Sequence, residues 1–242
     1  MNKAVILAAG LGSRLTNKLR EKPKGFIECG GQSLIERSIN NLKSVGISEI
    51  IIGTGYLSKY YEKLAEDKSL FCVKNKDFSN TGSFSTLINL HNYINEDFLL
   101  LESDILYEKQ ALNILINHHK DDVILSSGET DSGDEVFIEV NKENNLLNLS
   151  KNQGDLSSIY GELVGLSKIS IGTYKILCDW LKMNTKKAKK IHYEEALVNI
   201  ADKKSLYVEK VEELIWTEID TSKHYKRAID IIYPSIQKKE NE

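Results

Sequence analysis

Apolar residues fall in short blocks along the first half of the chain, and the spacing switches between two periods. Ala4 to Leu7, Glu49 to Ile52, Leu70 to Val73, Phe98 to Leu101 and Val123 to Leu125 are short apolar runs, the pattern of strands buried on both faces. Between them the repeat lengthens to that of a helix. Ser33-x-x-Glu36 reads as a capping box ahead of Ile35, Ile39 and Leu42, and Gly46 stops that helix. Further helices are expected at Leu57 to Ala65, Ser83 to Tyr93 and Glu108 to His119. Doubly buried strands alternating with helices predict a mostly parallel sheet covered on both sides.

The pattern changes near residue 128. Gly128 to Glu135 is polar, and shorter strands follow at Val136 to Val140 and Leu146 to Leu149, with Asn144-Asn145 as the turn of a hairpin. A strand is expected at Leu163 to Ile169, then helices at Gly172 to Lys182 and Glu194 to Ala201. The chain closes with a strand at Leu206 to Glu209, an apolar segment at Ile215 to Ile219, a helix from Ser222 to Ile232 and a charged Lys-Lys-Glu-Asn-Glu tail that reads as a linker. The fold class is α/β: a Rossmann-like mixed, mostly parallel sheet flanked by helices, with a small β-containing lobe inserted after the midpoint.

Composition narrows the possibilities only a little. The 242 residues suffice for one sizeable core, and 32 Lys+Arg against 35 Asp+Glu leave no basic excess of the kind that marks a nucleic-acid partner. Cys29, Cys72 and Cys178 lie far apart with no C-x-x-C pair, as reduced thiols of a cytoplasmic protein would. His118 and His119 stand outside any zinc-type spacing. The N-terminal AVILAA is shorter than a secretory h-region, and no run reaches the ~20 apolar residues of a membrane span.

The chemistry starts where the first strand empties into Gly10-Leu11-Gly12-Ser13-Arg14. Glycines let backbone N–H groups turn toward an anion, and Arg14 adds a cation. Two familiar phosphate patterns fail: Leu15 occupies the third glycine of the dinucleotide fingerprint, and no G-x-x-x-x-G-K-[ST] string exists. Downstream, Pro23 stiffens Lys22-Pro23-Lys24 and fixes where Lys24 can stand. Arg14 and Lys24 together can meet a triphosphate.

Leu7-Ala8-Ala9-Gly10-x-Gly12-x-Arg14 followed by Pro23-Lys24 resembles the signature of the nucleotidyltransferases that activate sugar phosphates and phospho-alcohols. The resemblance runs over nearly the whole chain. It implies one domain over 1–242, with a nucleotide-binding part at about 1–127 and 203–235 and an acceptor-binding lobe at about 128–202. It also implies that Leu7, Ala8, Ala9, Gly10, Gly12, Arg14 and Lys24 bind the nucleotide, with Ser103 beside them.

Nucleotidyl transfer calls for Mg²⁺, which takes hard oxygen ligands and bridges phosphates. Asp104 follows the Phe98 to Leu101 strand at its carboxyl end, where open α/β sheets bind ligands, and Asp220 ends Trp216-Thr-Glu-Ile-Asp220. The resemblance assigns the metal to both. The competing reading of each is a helix cap. Glu102 and Glu218 each precede their aspartate by two residues; they share its strand face, and could equally be solvated or supporting groups.

Where hexose-activating relatives carry Gln-x-Gly-Thr-Ala, this chain has Asn80-Thr81-Gly82-Ser83-Phe84-Ser85-Thr86-Leu87. That loop looks more like those of cytidylyltransferases acting on phosphocholine and 2-aminoethylphosphonate. Ser83 and Ser85 are then candidates to contact the cytidine of CTP. Lys151 is the candidate for the acceptor phosphate; Asp134, Tyr160 and Glu194 are candidates for its far end, where a primary ammonium favours carboxylates and a quaternary one an aromatic cage. The resulting expectation is a Mg²⁺-dependent cytidylyltransferase acting on 2-aminoethylphosphonate. The alternatives are a phosphocholine cytidylyltransferase, a sugar-1-phosphate nucleotidyltransferase, and a regulatory module that binds CTP without chemistry.

Overall fold

A computed structural model describes residues 1–15, 17–68 and 70–241. Its spine is β1 (Lys3–Ala8), which pairs in parallel with β4 (Glu49–Thr54) on one side and with β6 (Phe98–Glu102) on the other. A small ribbon of β2 (Glu28–Cys29) and β3 (Gln32–Ser33) precedes α1 (Leu34–Ser44). The predicted capping box forms at the head of α1: Glu36 N–H donates to Ser33 Oγ at 3.3 Å, and Ser33 N–H donates to Glu36 Oε2 at 3.4 Å. After α2 (Ser58–Lys68), β5 (Phe71–Lys74) extends the sheet in parallel beyond β4 and forms its edge.

Beyond β6 the sheet becomes mixed, because the neighbour of β6 is β11 (Gly161–Ile169), which runs antiparallel to it. On the far side of β11 lies β8 (Val123–Ser127), antiparallel, and then β12 (Tyr207–Val211), parallel to β8. The expected hairpin is present as β9 (Phe137–Val140) and β10 (Leu146–Ser150), and β9 pairs with the first residues of β11. The hairpin's turn is also tied to the chain at β12, with the Leu146 N–H donating to Leu206 O and the Val208 N–H to Asn144 O, both at 2.8 Å.

Alternation along β1 sorts the core into two layers. Ala4, Ile6 and Ala8 pack on one face with Ile35, Ile39 and Leu42 of α1; Val5 and Leu7 pack on the other with Phe84 and Leu87 of α3 (Ser83–Ile88). The second layer continues through α5 (Ile171–Met183), α6 (Thr185–Ala188) and α7 (Tyr193–Val198).

Three features depart from the sequence expectation. Ile105–Tyr107, which follows Asp104, is a strand (β7), and it pairs antiparallel with β13 (Trp216–Glu218). Helix α4 (Gln110–Asn117) therefore begins several residues beyond Asp104, which caps nothing. The C-terminal helix does not stop before Pro234: α8 (Ser222–Arg227) runs through a wide turn at Ala228–Ile232 into α9 (Tyr233–Glu240), whose first turn accepts the proline's missing N–H. The charged tail, expected as a linker, is docked. Glu240 accepts from Arg37 at 2.9 Å and from the Lys109 N–H at 3.1 Å, and Lys239 pairs with the buried Glu108 at 2.9 Å.

Gly165 sits in mid-strand of β11 with φ +81°, and a Cβ there would lie 2.6 Å from Ile105 Cδ1 and 3.2 Å from the Glu102 carboxyl carbon. It is the point where β11 passes over the carboxyl end of β6. Gly165→Ala should lower the melting temperature through left-handed strain of about 1–3 kcal/mol plus the clash; an unchanged melting curve would contradict this account of the crossing.

Candidate active site

The carboxyl ends of β1 and β6 and the turn after β1 form the floor of a cleft of about 430 Å³. Leu7, Ala8, Ala9, Gly10 and Arg14 line it, together with Lys24, Ser83, Ser103 and Asp104. At Gly10 a Cβ would meet nothing within 4 Å, so packing within the protein does not demand glycine there. Gly12 does not line the cleft. It adopts φ +59°, and a Cβ would approach Lys24 Cγ to 3.3 Å, so its bare backbone makes room for the lysine stem. Pro23, at φ −61° and ψ 154°, leads into a short 3₁₀ turn at Lys24–Phe26 and fixes the base of that stem.

Charged side chains then alternate across the cleft. Lys24 Nζ donates to Asp104 Oδ2 at 2.6 Å and also to Asp220 Oδ1. Arg14 spreads its two terminal nitrogens between Asp220 Oδ2, at 2.5 Å, and Asp134 Oδ2. Lys151, at the end of the β9–β10 hairpin, donates to the other oxygen of Asp134 at 2.5 Å. Lys151, Asp134, Arg14, Asp220, Lys24 and Asp104 thus form one continuous chain of ion pairs drawn from six separate segments. Burial disfavours the charge of Lys24, but Asp104, Asp220 and Glu218 outweigh it and hold the ammonium above its ordinary range. Burial likewise works against the Asp220 carboxylate, and Lys24 and Arg14 more than reverse it, so Asp220 stays ionised below the usual range.

A second group of acids crowds the same floor. One carboxylate oxygen each from Glu102, Asp104 and Glu218 lie within 4.8 Å of one another. Burial first, then Asp104 and Glu194, pushes Glu102 up to about 8; burial and Asp104 raise Glu218 well above its ordinary value. Burial also raises Glu194, which lines the cleft. The Tyr193 hydroxyl donates to Glu102 Oε1 at 2.8 Å. Three hard carboxyl oxygens at this spacing fit a divalent cation such as Mg²⁺. The sequence paired Asp104 with Asp220 as metal ligands; the structure groups Asp104 with Glu102 and Glu218 and gives both Asp220 oxygens to Arg14 and Lys24, because a carboxylate only 1% exposed requires close partners. Asp220 is not a helix cap either, since Thr221 caps α8.

The loop before α3 is pressed against the segment that joins α6 to α7. A Cβ on Gly82 would stand 2.0 Å from the Ile191 carbonyl oxygen, and the Gly82 N–H donates to Lys189 O at 3.1 Å. Ser83 lines the cleft while its Oγ accepts the Tyr193 N–H at 3.0 Å. Ser85 is turned away, donating to Lys189 O at 3.2 Å. Lys151 and Glu194 line the cleft; Asp134 reaches it only through Arg14 and Lys151. Tyr160 does not line it, and its ring lies 5.9 Å from the Lys210 ammonium instead. Trp216 forms part of the wall, its ring fixed by Nε1 donating to Ser127 Oγ at 2.9 Å. Tyr61, from α2, also lines the cleft, with its hydroxyl beside Gly25 and Ser103; no motif in the sequence pointed to it.

A family model described as a MobA-like NTP transferase domain matches residues 4–165. The chain belongs to this family. Among curated relatives, it is 30% identical over 117 residues to the CMP-5'-(3-aminopropyl)phosphonate synthase of Streptomyces rubellomurinus, covering 47% of this chain and 19% of that protein. It is 32% identical over 113 residues to the choline-phosphate cytidylyltransferase of Streptococcus pneumoniae, covering 47% of this chain and 49% of that protein. The matched stretch therefore spans about a fifth of the first relative and about half of the second. The fold as a whole resembles the inositol-1-phosphate CTP transferase from T. maritima, with TM-score 0.82 at 20% identity over 98% of this chain and 96% of that one.

Glu102, raised to about 8, and the buried Glu162, raised to about 7 by its burial, both keep a proton in the folded chain that the unfolded chain releases near 4.5. The folded state then binds more protons in this window, so stability should fall as pH rises from about 5 to 8. Denaturant unfolding across that range checks it, and Glu102→Gln should flatten the decline.

Proposed function

We propose that this protein is a cytidylyltransferase that moves CMP from CTP to a small phosphonate bearing a primary ammonium, 2-aminoethylphosphonate or a near homologue, and releases pyrophosphate. The observation that carries the reading is the alternating ion-pair chain, which places three cations along a cleft opening from a glycine turn. Arg14 and Lys24 would take the triphosphate oxygens, and Ser83 the cytosine end. The names of the two curated relatives contain a cytidylyl or CMP group, and one joins CMP to an aminoalkylphosphonate.

In this reading a phosphonate oxygen attacks the α-phosphorus of CTP in line, the new P–O bond forms, and the bond to the bridging oxygen of pyrophosphate breaks. The nucleophile is already anionic, so positioning and charge neutralisation do most of the work. A divalent cation held by Asp104 with Glu102 and Glu218, or with Asp220, would supply Lewis-acid stabilisation of the phosphate charge. Lys24 stays protonated throughout. Lys151 meets the acceptor phosphonate, and the carboxylate of Glu194 faces its ammonium. Carboxylates at this end favour a primary ammonium, whereas the fixed Trp216 ring favours phosphocholine as the second reading.

Pyrophosphate release should be measured with four nucleoside triphosphates crossed against 2-aminoethylphosphonate, phosphocholine, phosphoethanolamine and hexose 1-phosphates. Turnover confined to CTP with the aminophosphonate is expected; turnover with hexose phosphates, or with none of the acceptors, overturns the reading. Asp104→Asn should abolish turnover while leaving the melting curve in place. Gly10→Ala should also melt normally, because its Cβ meets no protein atom, yet raise KM for CTP about tenfold or more if a phosphate approaches that backbone.

A further inference from the structure

Asp134 holds Arg14 and Lys151 together, and the loop that presents it is anchored from beneath by residues outside the main cleft. The anchor point is Thr130, whose three polar groups are all engaged. Its N–H donates to Glu162 Oε2 at 2.9 Å, its hydroxyl donates to Glu162 Oε1 at 3.1 Å, and its carbonyl accepts from Arg227 at 3.1 Å. The other terminal nitrogen of Arg227 donates to Thr217 Oγ1 at 3.2 Å, in the strand that carries Trp216 and Glu218. Glu162 is 2% exposed, and both its oxygens are spent on this one loop residue.

Beyond Thr130 the loop is built to turn. Asp131 and Gly133 adopt φ +51° and +91°. The Gly133 N–H and Ser132 hydroxyl donate to Glu135 Oε1 at 2.7 and 3.2 Å, and the Asp134 N–H donates to Ser132 Oγ at 3.4 Å. This brace aims the Asp134 carboxylate between Arg14 and Lys151, neither of which is well buried: both side chains are at least half exposed. Exposed arginine and lysine side chains lose substantial rotamer freedom when a ligand fixes them. A carboxylate that fixes them beforehand removes that cost. Arg14 gives two of its five N–H donors to Asp134 and Asp220, which leaves the remainder for a ligand.

We propose that Glu162 and Arg227 are positioning residues which, through Thr130 and Asp134, hold Arg14 and Lys151 ready for the phosphate groups of the substrates. The inference rests on the anion-binding roles that the function proposed above gives Arg14 and Lys151, and not on the identity of the base or of the acceptor's far end. Removing the anchor and removing the carboxylate at the tip therefore undo the same arrangement.

The test is a double-mutant cycle on the full chain with inorganic tripolyphosphate as the probe, followed by calorimetry. Arg227→Met keeps the stem and loses both donors; Asp134→Asn loses the charge at the tip. Each should weaken tripolyphosphate about tenfold, or ~1.4 kcal/mol, and the double variant should weaken it no further. Glu162→Gln, which can still bond Thr130, should bind nearly as the parent does, while Glu162→Ala should match Arg227→Met. Melting curves identify any variant that fails to fold, and the Glu162 pair then carries the comparison. Additive losses, tighter binding by Asp134→Asn, or a parent chain that does not bind tripolyphosphate overturn the proposal. Tripolyphosphate binding that follows the expected pattern without pyrophosphate release from CTP would leave the anchoring intact and reject the cytidylyltransferase reading.

Discussion

A buried carboxylate must be neutralised, and Asp220 is the point from which that requirement spreads across the cleft. Its two oxygens draw in Lys24 from the Pro-Lys turn and Arg14 from the glycine turn. Those cations in turn engage Asp104 and Asp134, and Asp134 engages Lys151. No link is held by one element alone, so the sheet, the hairpin and the C-terminal strand must all be in place before the chain closes. Pairs of this kind contribute little net stability once desolvation is counted, and their value lies in fixing where charges stand. The same cations that satisfy the protein's carboxylates are the ones a polyanionic ligand would recruit.

Much of the fold was legible because β1, β4, β6 and β8 are buried on both faces; β5, expected to match them, lies at the sheet's edge with Phe71 exposed. The runs at Ala4 to Leu7 and Phe98 to Leu101 are short and wholly apolar, as central strands are, and the Ser33–Glu36 box marked its helix directly. What escaped was set by partners far away in sequence. Ile105–Tyr107 is too short to announce itself and exists as a strand because Trp216–Glu218 lies against it. The helix continues past Pro234 because a widened turn absorbs the proline, a local choice that no periodicity reveals.

At the site, the charged residues are legible in their motifs, and some of their company is not. Arg14, Lys24, Asp104 and Asp220 converge as their motif contexts suggested. Glu102 and Glu218 share the floor with Asp104, and the two-residue offset that puts each on the strand face of its aspartate is the signal for that; their burial is what the offset does not reveal. Tyr160 was drawn in by residue type alone, and the turn before β11 sends its ring toward Lys210. Arg227 carried no signal and Glu162 only that of one more carboxylate in the inserted lobe, since both matter through a shared contact with one threonine.

The contact between Gly82 and the backbone at residues 190–191 has a consequence for how such a chain can diversify. Peptide lies against peptide there, with no side chain to trim or enlarge as a buffer. A change that reshapes the α6–α7 corner moves Ser83 and the loop ahead of α3 with it. The two walls of the cleft are geared to one another, so a lineage that reshapes one must re-tune the other in the same step.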